Sequence, residues 1–145
     1  MKSIFLKIIL VCAVSFVGAL RAAALDGVVI IANKDVPVNS LSAAALKDIY
    51  TGRTAYWPDG QSVDLAVLAD GIQEKTDAAL EEVSGMDDSH FRIFWQRMVF
   101  SGRGQQPNKI DDVASLVAFV ASHKGAIAIV PADADLPGVR KLDIQ

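Results

Sequence analysis

The sequence predicts an α/β domain: a central, mostly parallel or mixed sheet of about four strands, flanked by helices. Three observations carry this. Short β-branched and aliphatic runs alternate with segments whose apolar residues recur every three to four positions. Strands separated by helices need crossover connections, which favour parallel pairing. The connections are short, and 145 residues accommodate one domain and not two of ordinary size.

Each element has a local reason. Val28-Val29-Ile30-Ile31, within Asp26 to Asn33, reads as a strand buried on both faces, and Val36-Pro37-Val38 breaks it. Ser42 suits an N-cap, with Leu41 and Leu46 placed to staple the start of a helix from Ala43 to Thr51. Leu46, Ile49 and Tyr50 share one side of that helix, and Gly52 stops it. Residues 53–61 form a turn-rich loop holding Tyr56, Trp57 and Pro58-Asp59-Gly60. Ser62 to Ala69 is a second strand, built on Val63, Leu65, Val67 and Leu68.

Asp70 and Gln73 have capping-box spacing, which starts a helix near Gly71. Ile72, Thr76, Ala79, Leu80 and Val83 make its stripe, and Gly85 ends it. From Asp88 to Phe100, the residues Phe91, Phe94, Trp95, Met98 and Val99 fall on a core-facing stripe. Ile93 and Phe100 lie opposite it, so this helix is either covered on both sides or offers an apolar spot to a partner. After a flexible loop, Asn108 can cap a fourth helix, with Asp111 and Asp112 in its first turn. Ile110, Val113, Leu116, Val117 and Val120 form its buried stripe; His123 and Lys124 suit its negative end, and Gly125 its C′ position. Ala126 to Val130 is a third strand, ended by Pro131, and Val139 to Ile144 a short last one.

The first two dozen residues are read as an address. Lys2 and Lys7 precede the uncharged apolar run Ile8 to Leu20, and Ala22-Ala23-Ala24 supplies small residues for cleavage. That is the layout of a secretory signal peptide covering residues 1–24, and the run is short for a membrane span. The mature domain is then residues 25–145, exported, with no stable span after cleavage. The single Cys, Cys12, leaves with the leader, so an oxidising compartment costs the mature chain nothing. Removing Lys2, Lys7 and Arg21 changes the net charge from −3 to −6. An acidic chain lacks the dominant basic face that nucleic-acid binding needs.

The sequence carries no G-x-S-x-G elbow, Walker loop, H-E-x-x-H pair or dinucleotide fingerprint. His90 sits in a first helical turn and His123 at a helix C-terminus, neither beside a nucleophile. Acidic pairs such as Asp87-Asp88 read as helix-end charge. No enzyme activity, cofactor or metal is expected. The start of the second helix offers amides to an oxyanion, with Gly71, Ile72 and Gln73 as donors and Lys75 and Thr76 within a turn. Asp70 competes by capping the same donors, and a protonated oxyanion answers that by donating to it. Among the basic residues, Arg92 and Arg97 point apart on their helix, whereas Arg103 in its Gly-rich loop is accessible to an anion or a partner.

In order along the chain, four segments resemble the periplasmic phosphate-binding protein family of ABC transporters, within the type 2 periplasmic-binding superfamily. They are the strand Val28–Asn33 leading to Leu46-Lys47-Asp48-Ile49-Tyr50-Thr51-Gly52, the turn Trp57-Pro58-Asp59-Gly60, the region from Phe91 and Trp95 to Phe100-Ser101-Gly102, and Lys124-Gly125-Ala126-Ile127-Ala128-Ile129-Val130. The resemblance implies one lobe of a fold that normally closes two lobes on a ligand. It also implies non-enzymatic capture of phosphate or a related oxyanion, for which Thr76 and the amides of Gly71, Ile72 and Gln73 carry over; the residues themselves add Asp70 and Lys75 to that expected ligand set. The family's Arg is absent and its Ser-Gly-Thr run is not intact here. The alternative is a periplasmic protein-interaction module with a vestigial site and a contact surface of Ile93, Phe100 and Arg103. A second copy, as a homodimer, is another way to close a single lobe.

Overall fold

The computed structural model describes residues 25–145, and the expected leader, residues 1–24, lies outside them. Ten elements follow in order: β1 (Val28–Asn33), β2 (Ser40–Leu41), α1 (Ala43–Tyr50), β3 (Asp64–Leu68), α2 (Glu74–Ser84), α3 (Asp88–Phe100), β4 (Asn108–Ile110), α4 (Val113–Ser122), β5 (Ala126–Pro131) and β6 (Val139–Ile144). They build one six-stranded sheet in the order β2-β6-β1-β5-β3-β4.

The sheet is mixed. β3 runs parallel to β4 and β5, but β1 is antiparallel to both of its neighbours, β5 and β6. The two strands beyond the expected four are short and polar. β2 pairs only Ser40 and Leu41 with Asp143 and Ile144, and β4 carries Asn-Lys-Ile along the edge of β3. Neither has an apolar run of its own; each is a strand because a formed edge offers it hydrogen bonds.

Strict alternation divides the core into two layers. Ile30, Leu65, Val67, Ile127 and Ile129 face α1, α2 and α3, meeting Leu46, Tyr50, Ala79, Phe91 and Trp95. Ile31, Ala66, Leu68, Ala126, Ala128 and Val130 face α4, meeting Leu116, Val117 and Val120. The small side chains on that second face let α4 lie close to the sheet. Both faces are covered, as continuous aliphatic strands require.

Several expected boundaries hold. The Ser42 hydroxyl accepts from the Ala45 amide at 3.0 Å, and Gly52 follows α1 at φ +70°. Trp57 is buried, and its Nε1–H donates to the Gly125 carbonyl at 2.9 Å, so this aromatic pins its turn to the core. Gly125 has φ +79°, and a Cβ there would collide with the Ser62 carbonyl, so the chain needs glycine at that crossing.

Others move. Asn108 does not cap α4: it lies in β4, and its Nδ2–H donates to Asp64 Oδ1 at 2.7 Å. Asp112 is the cap, accepting from the Ser115 amide at 2.8 Å, because pairing with β3 holds the preceding residues extended. Val99 is 41% exposed and not part of the core stripe; α3 buries only Phe91 and Trp95 fully. The α4 C-terminus has a partner that periodicity does not reveal. Buried Asn33 donates to the Val120 and Ala121 carbonyls at 2.8 and 3.1 Å, and its Oδ1 accepts from the Asp35 amide at 3.0 Å.

Candidate functional site

The C-terminal end of β3 delivers the chain to Asp70 and Gly71, where a turn precedes α2. The helix starts later than the capping-box spacing suggests. Gln73 is its N-cap, with no side chain capping it, and Glu74 is the first helical residue. Asp70 therefore does not close the helix, and the Gly71 amide is not one of its first-turn donors. That amide donates instead to Asp77 Oδ2 at 3.1 Å, and the Ile72 amide turns back to the Ala69 carbonyl at 3.4 Å. Gly71 has φ +78°, the left-handed conformation this turn requires. Ile72, expected on the helix's apolar stripe, lies before the helix and is exposed.

The six expected ligand residues separate. Gly71, Ile72, Gln73 and Lys75 are exposed on the outer side of the turn, and the Lys75 stem lies over Gly27 at the foot of β1. Asp70 borders a cavity of about 280 Å³ between β3, α2 and the start of α3. Thr76 is 5% exposed, and its hydroxyl has no hydrogen-bond partner in the protein. It lines a second, small cavity of about 10 Å³ together with Tyr50, whose hydroxyl is equally buried and equally unpartnered.

The electrostatics are acidic. Asp70, Asp77, Glu81, Asp87 and Asp88 surround the larger cavity. Desolvation raises the Asp77 carboxyl above its ordinary range; the Gly71 amide works against this, and repulsion from Asp70, Asp88 and Glu74 adds to it. The Asp87 carboxyl is held low because it accepts from the His90 amide and ring. Burial pushes the Tyr50 phenol far above its usual value, so it remains a neutral hydroxyl. The sequence marks Tyr50 as core and Glu81 as helix charge, and does not mark these two or Asp77 as site residues. The available signal was the i, i+4 spacing of Asp77 and Glu81, which puts two carboxylates on one helical face.

The three partner-surface residues lie away from this site. Ile93 and Phe100, seven apart on α3, are 42% and 93% exposed. Arg103 is exposed in the following loop, and Gly104 in that loop packs beneath Trp95. Among the described residues, no helix is long and apolar enough to cross a membrane.

No curated protein matches the chain. Several solved structures share its fold. One, from Clostridium perfringens, is described as a phosphate ABC transporter substrate-binding protein with bound phosphate. It is 20% identical with a TM-score of 0.63, over 81% of this chain and 44% of that one. Another is an ABC-type phosphate transport receptor from Vibrio cholerae, 16% identical with a TM-score of 0.59, over 81% of this chain and 46% of that one. The chain thus spans less than half the length of these proteins, and at such identities the likeness establishes the fold. Residues 18–142 match the family model described as PBP superfamily domain, so the chain belongs to the periplasmic-binding-protein superfamily to which its sequence motifs point.

Proposed function

We propose that the protein is an exported, non-enzymatic solute-binding-like protein of the phosphate-transporter type. Residues 1–24 would be removed as the leader, and residues 25–145 would act as one periplasmic lobe. Its ligand would be phosphate or a related oxyanion in a proton-bearing form, held at the start of α2. The observation that carries this reading is an uncapped helix N-terminus beside a buried Thr76 hydroxyl that has no protein partner. A bound phosphate in the Clostridium perfringens structure supports it. The ring of carboxylates repels a fully ionised anion, whereas a ligand proton can donate to Asp70 or Asp77. That favours phosphate over sulfate.

Calorimetry on the exported chain with phosphate, pyrophosphate and sulfate tests this. Saturable phosphate binding, weakened about tenfold by Thr76→Val, is the expected result; no heat with any of the three anions sinks the reading. Mass spectrometry of the periplasmic fraction checks export, the expected product beginning at Leu25.

A second reading has its own observation. Phe100 is 93% exposed on the same helical face as Ile93. Such a pair suits a protein contact, with Arg103 at its edge. A specific periplasmic partner retained by the chain, and lost on Phe100→Asp, would support an interaction module with a vestigial ligand site.

A further inference from the structure

The larger cavity carries more than the acidic residues around it. Its walls include Leu80 and Met86, so an anionic rim adjoins an apolar wall. Leu68, Asp77 and Leu80 are also walls of the small cavity, which makes the two spaces neighbours. The small one is lined by Tyr50 and Thr76, 1% and 5% exposed, whose hydroxyls find no partner elsewhere in the protein. Buried hydroxyls are ordinarily hydrogen-bonded. Two of them around one space about the size of a water molecule indicate a polar group that belongs there.

The charges define that group. Among the described residues, Lys109 reaches Asp88 at 3.6 Å and His90 pairs with Asp87 at 2.9 Å, while Asp70, Asp77 and Glu81 have no cationic partner. No three carboxylates among the described residues converge closely enough to hold a metal ion. They ring an opening wide enough for an organic molecule, above walls that a hydrated metal would not use. A primary ammonium is about the size of a water and carries three N–H donors. Tyr50 Oη, Thr76 Oγ1 and the Asp77 carboxylate are three acceptors on the same small cavity.

We propose that this pocket binds a small organic cation with a primary ammonium, a short alkylamine or diamine. Its charged head would sit among Asp77, Tyr50 and Thr76. Its chain would lie along Leu80 and Met86, and a second amine would reach Glu81 at the rim. Each hydroxyl oxygen has lone pairs with which to accept from the ammonium. The site shares Thr76 and Asp77 with the one proposed for the oxyanion, and its own case, built on Tyr50 and the apolar wall, does not depend on that reading.

The test is a calorimetric and NMR titration of the exported chain with 1,4-diaminobutane and with n-butylammonium at constant ionic strength. Tetramethylammonium and sodium chloride serve as controls. Saturable binding of both primary amines and none of tetramethylammonium is expected, since a quaternary head neither fits the small cavity nor donates. Glu81→Gln, on the exposed rim, should weaken the diamine about tenfold, the loss of one charge-assisted contact. It should change n-butylammonium little. Tyr50→Phe should weaken both amines. No saturation at millimolar amine, a response shared with sodium chloride, or amine binding indifferent to both substitutions overturns the proposal. Failure to bind phosphate in a parallel titration bears only on the oxyanion reading.

Discussion

Tyr50→Phe should make this protein more stable. The side chain is 1% exposed, and its hydroxyl has no protein partner. Ala66, Val67, Leu68, Leu80 and Ile129 supply most of the surrounding wall. Burying an unbonded hydroxyl costs about 1–3 kcal/mol. Phenylalanine keeps the ring and its contacts and removes that cost. The lost oxygen contacts return part of the gain, which leaves about 1 kcal/mol, or roughly 3–6 °C in Tm for a domain of this size. Urea denaturation followed by the fluorescence of Trp57 and Trp95 measures it, and an unchanged m-value is required for the comparison. If a water in the small cavity satisfies the hydroxyl, the substitution instead destabilises by about 0.5–1.5 kcal/mol. That sign would refute the claim that the hydroxyl is held in reserve. With saturating n-butylammonium the order should reverse, because ligand stabilises the form that binds it better.

Three further outcomes follow from named contacts. Asn33→Ala removes three hydrogen bonds, two to carbonyls at the end of α4 and one from the Asp35 amide, and should cost about 3 kcal/mol in the same denaturation assay. The acid limb of stability should have two opposing parts. Asp87 and Asp112 have depressed pKa values in the fold, so their contribution is present above the ordinary carboxylate range and is lost as pH falls through their folded values. Asp77 is raised, so the folded chain binds the extra proton and stability falls as pH climbs from the ordinary carboxylate range through its folded value. Asp77→Asn should therefore be the more stable variant near neutral pH, and the difference should vanish in acid. Lastly, a bound amine neutralises the field that opposes an anion at α2. Saturating n-butylammonium should tighten phosphate, with phosphate tightening the amine by the same factor, and unequal or absent coupling in calorimetry contradicts this.

The fold was largely legible because its strands are buried on both faces. A run such as Ala126 to Val130 has no other economical state, and a cap such as Ser42 marks the start of its helix locally. The missed strands, β2 and β4, draw their stability from neighbours far along the chain, and their own residues carry no apolar signal. Asn108 shows the same effect: its type favours a cap, but an edge of β3 offers it a strand. The site was less legible. Asp70 and Gln73 have capping-box spacing, yet Asp77 holds the Gly71 amide and delays the helix. Tyr50 reads as ordinary core from its helical position. Only the tertiary placement of α1 under the start of α2 makes its hydroxyl a feature of the site.

That placement also decides where selectivity can reside. Asp87 and most of the rim are solvated, and charges in water discriminate poorly because they are screened within about 10 Å at moderate salt. The match covers less than half of the solved relatives' length, and the described residues supply one sheet and its helices. A ligand here remains exposed on its outer side unless another surface covers it. What is more enclosed is the small cavity lined by Tyr50, Thr76 and Asp77. Interactions there are stronger than at the rim, and a group lacking donors leaves the carboxylate and two hydroxyls without partners. The rim therefore sets the sign of charge that approaches, and these three side chains set which head group is kept.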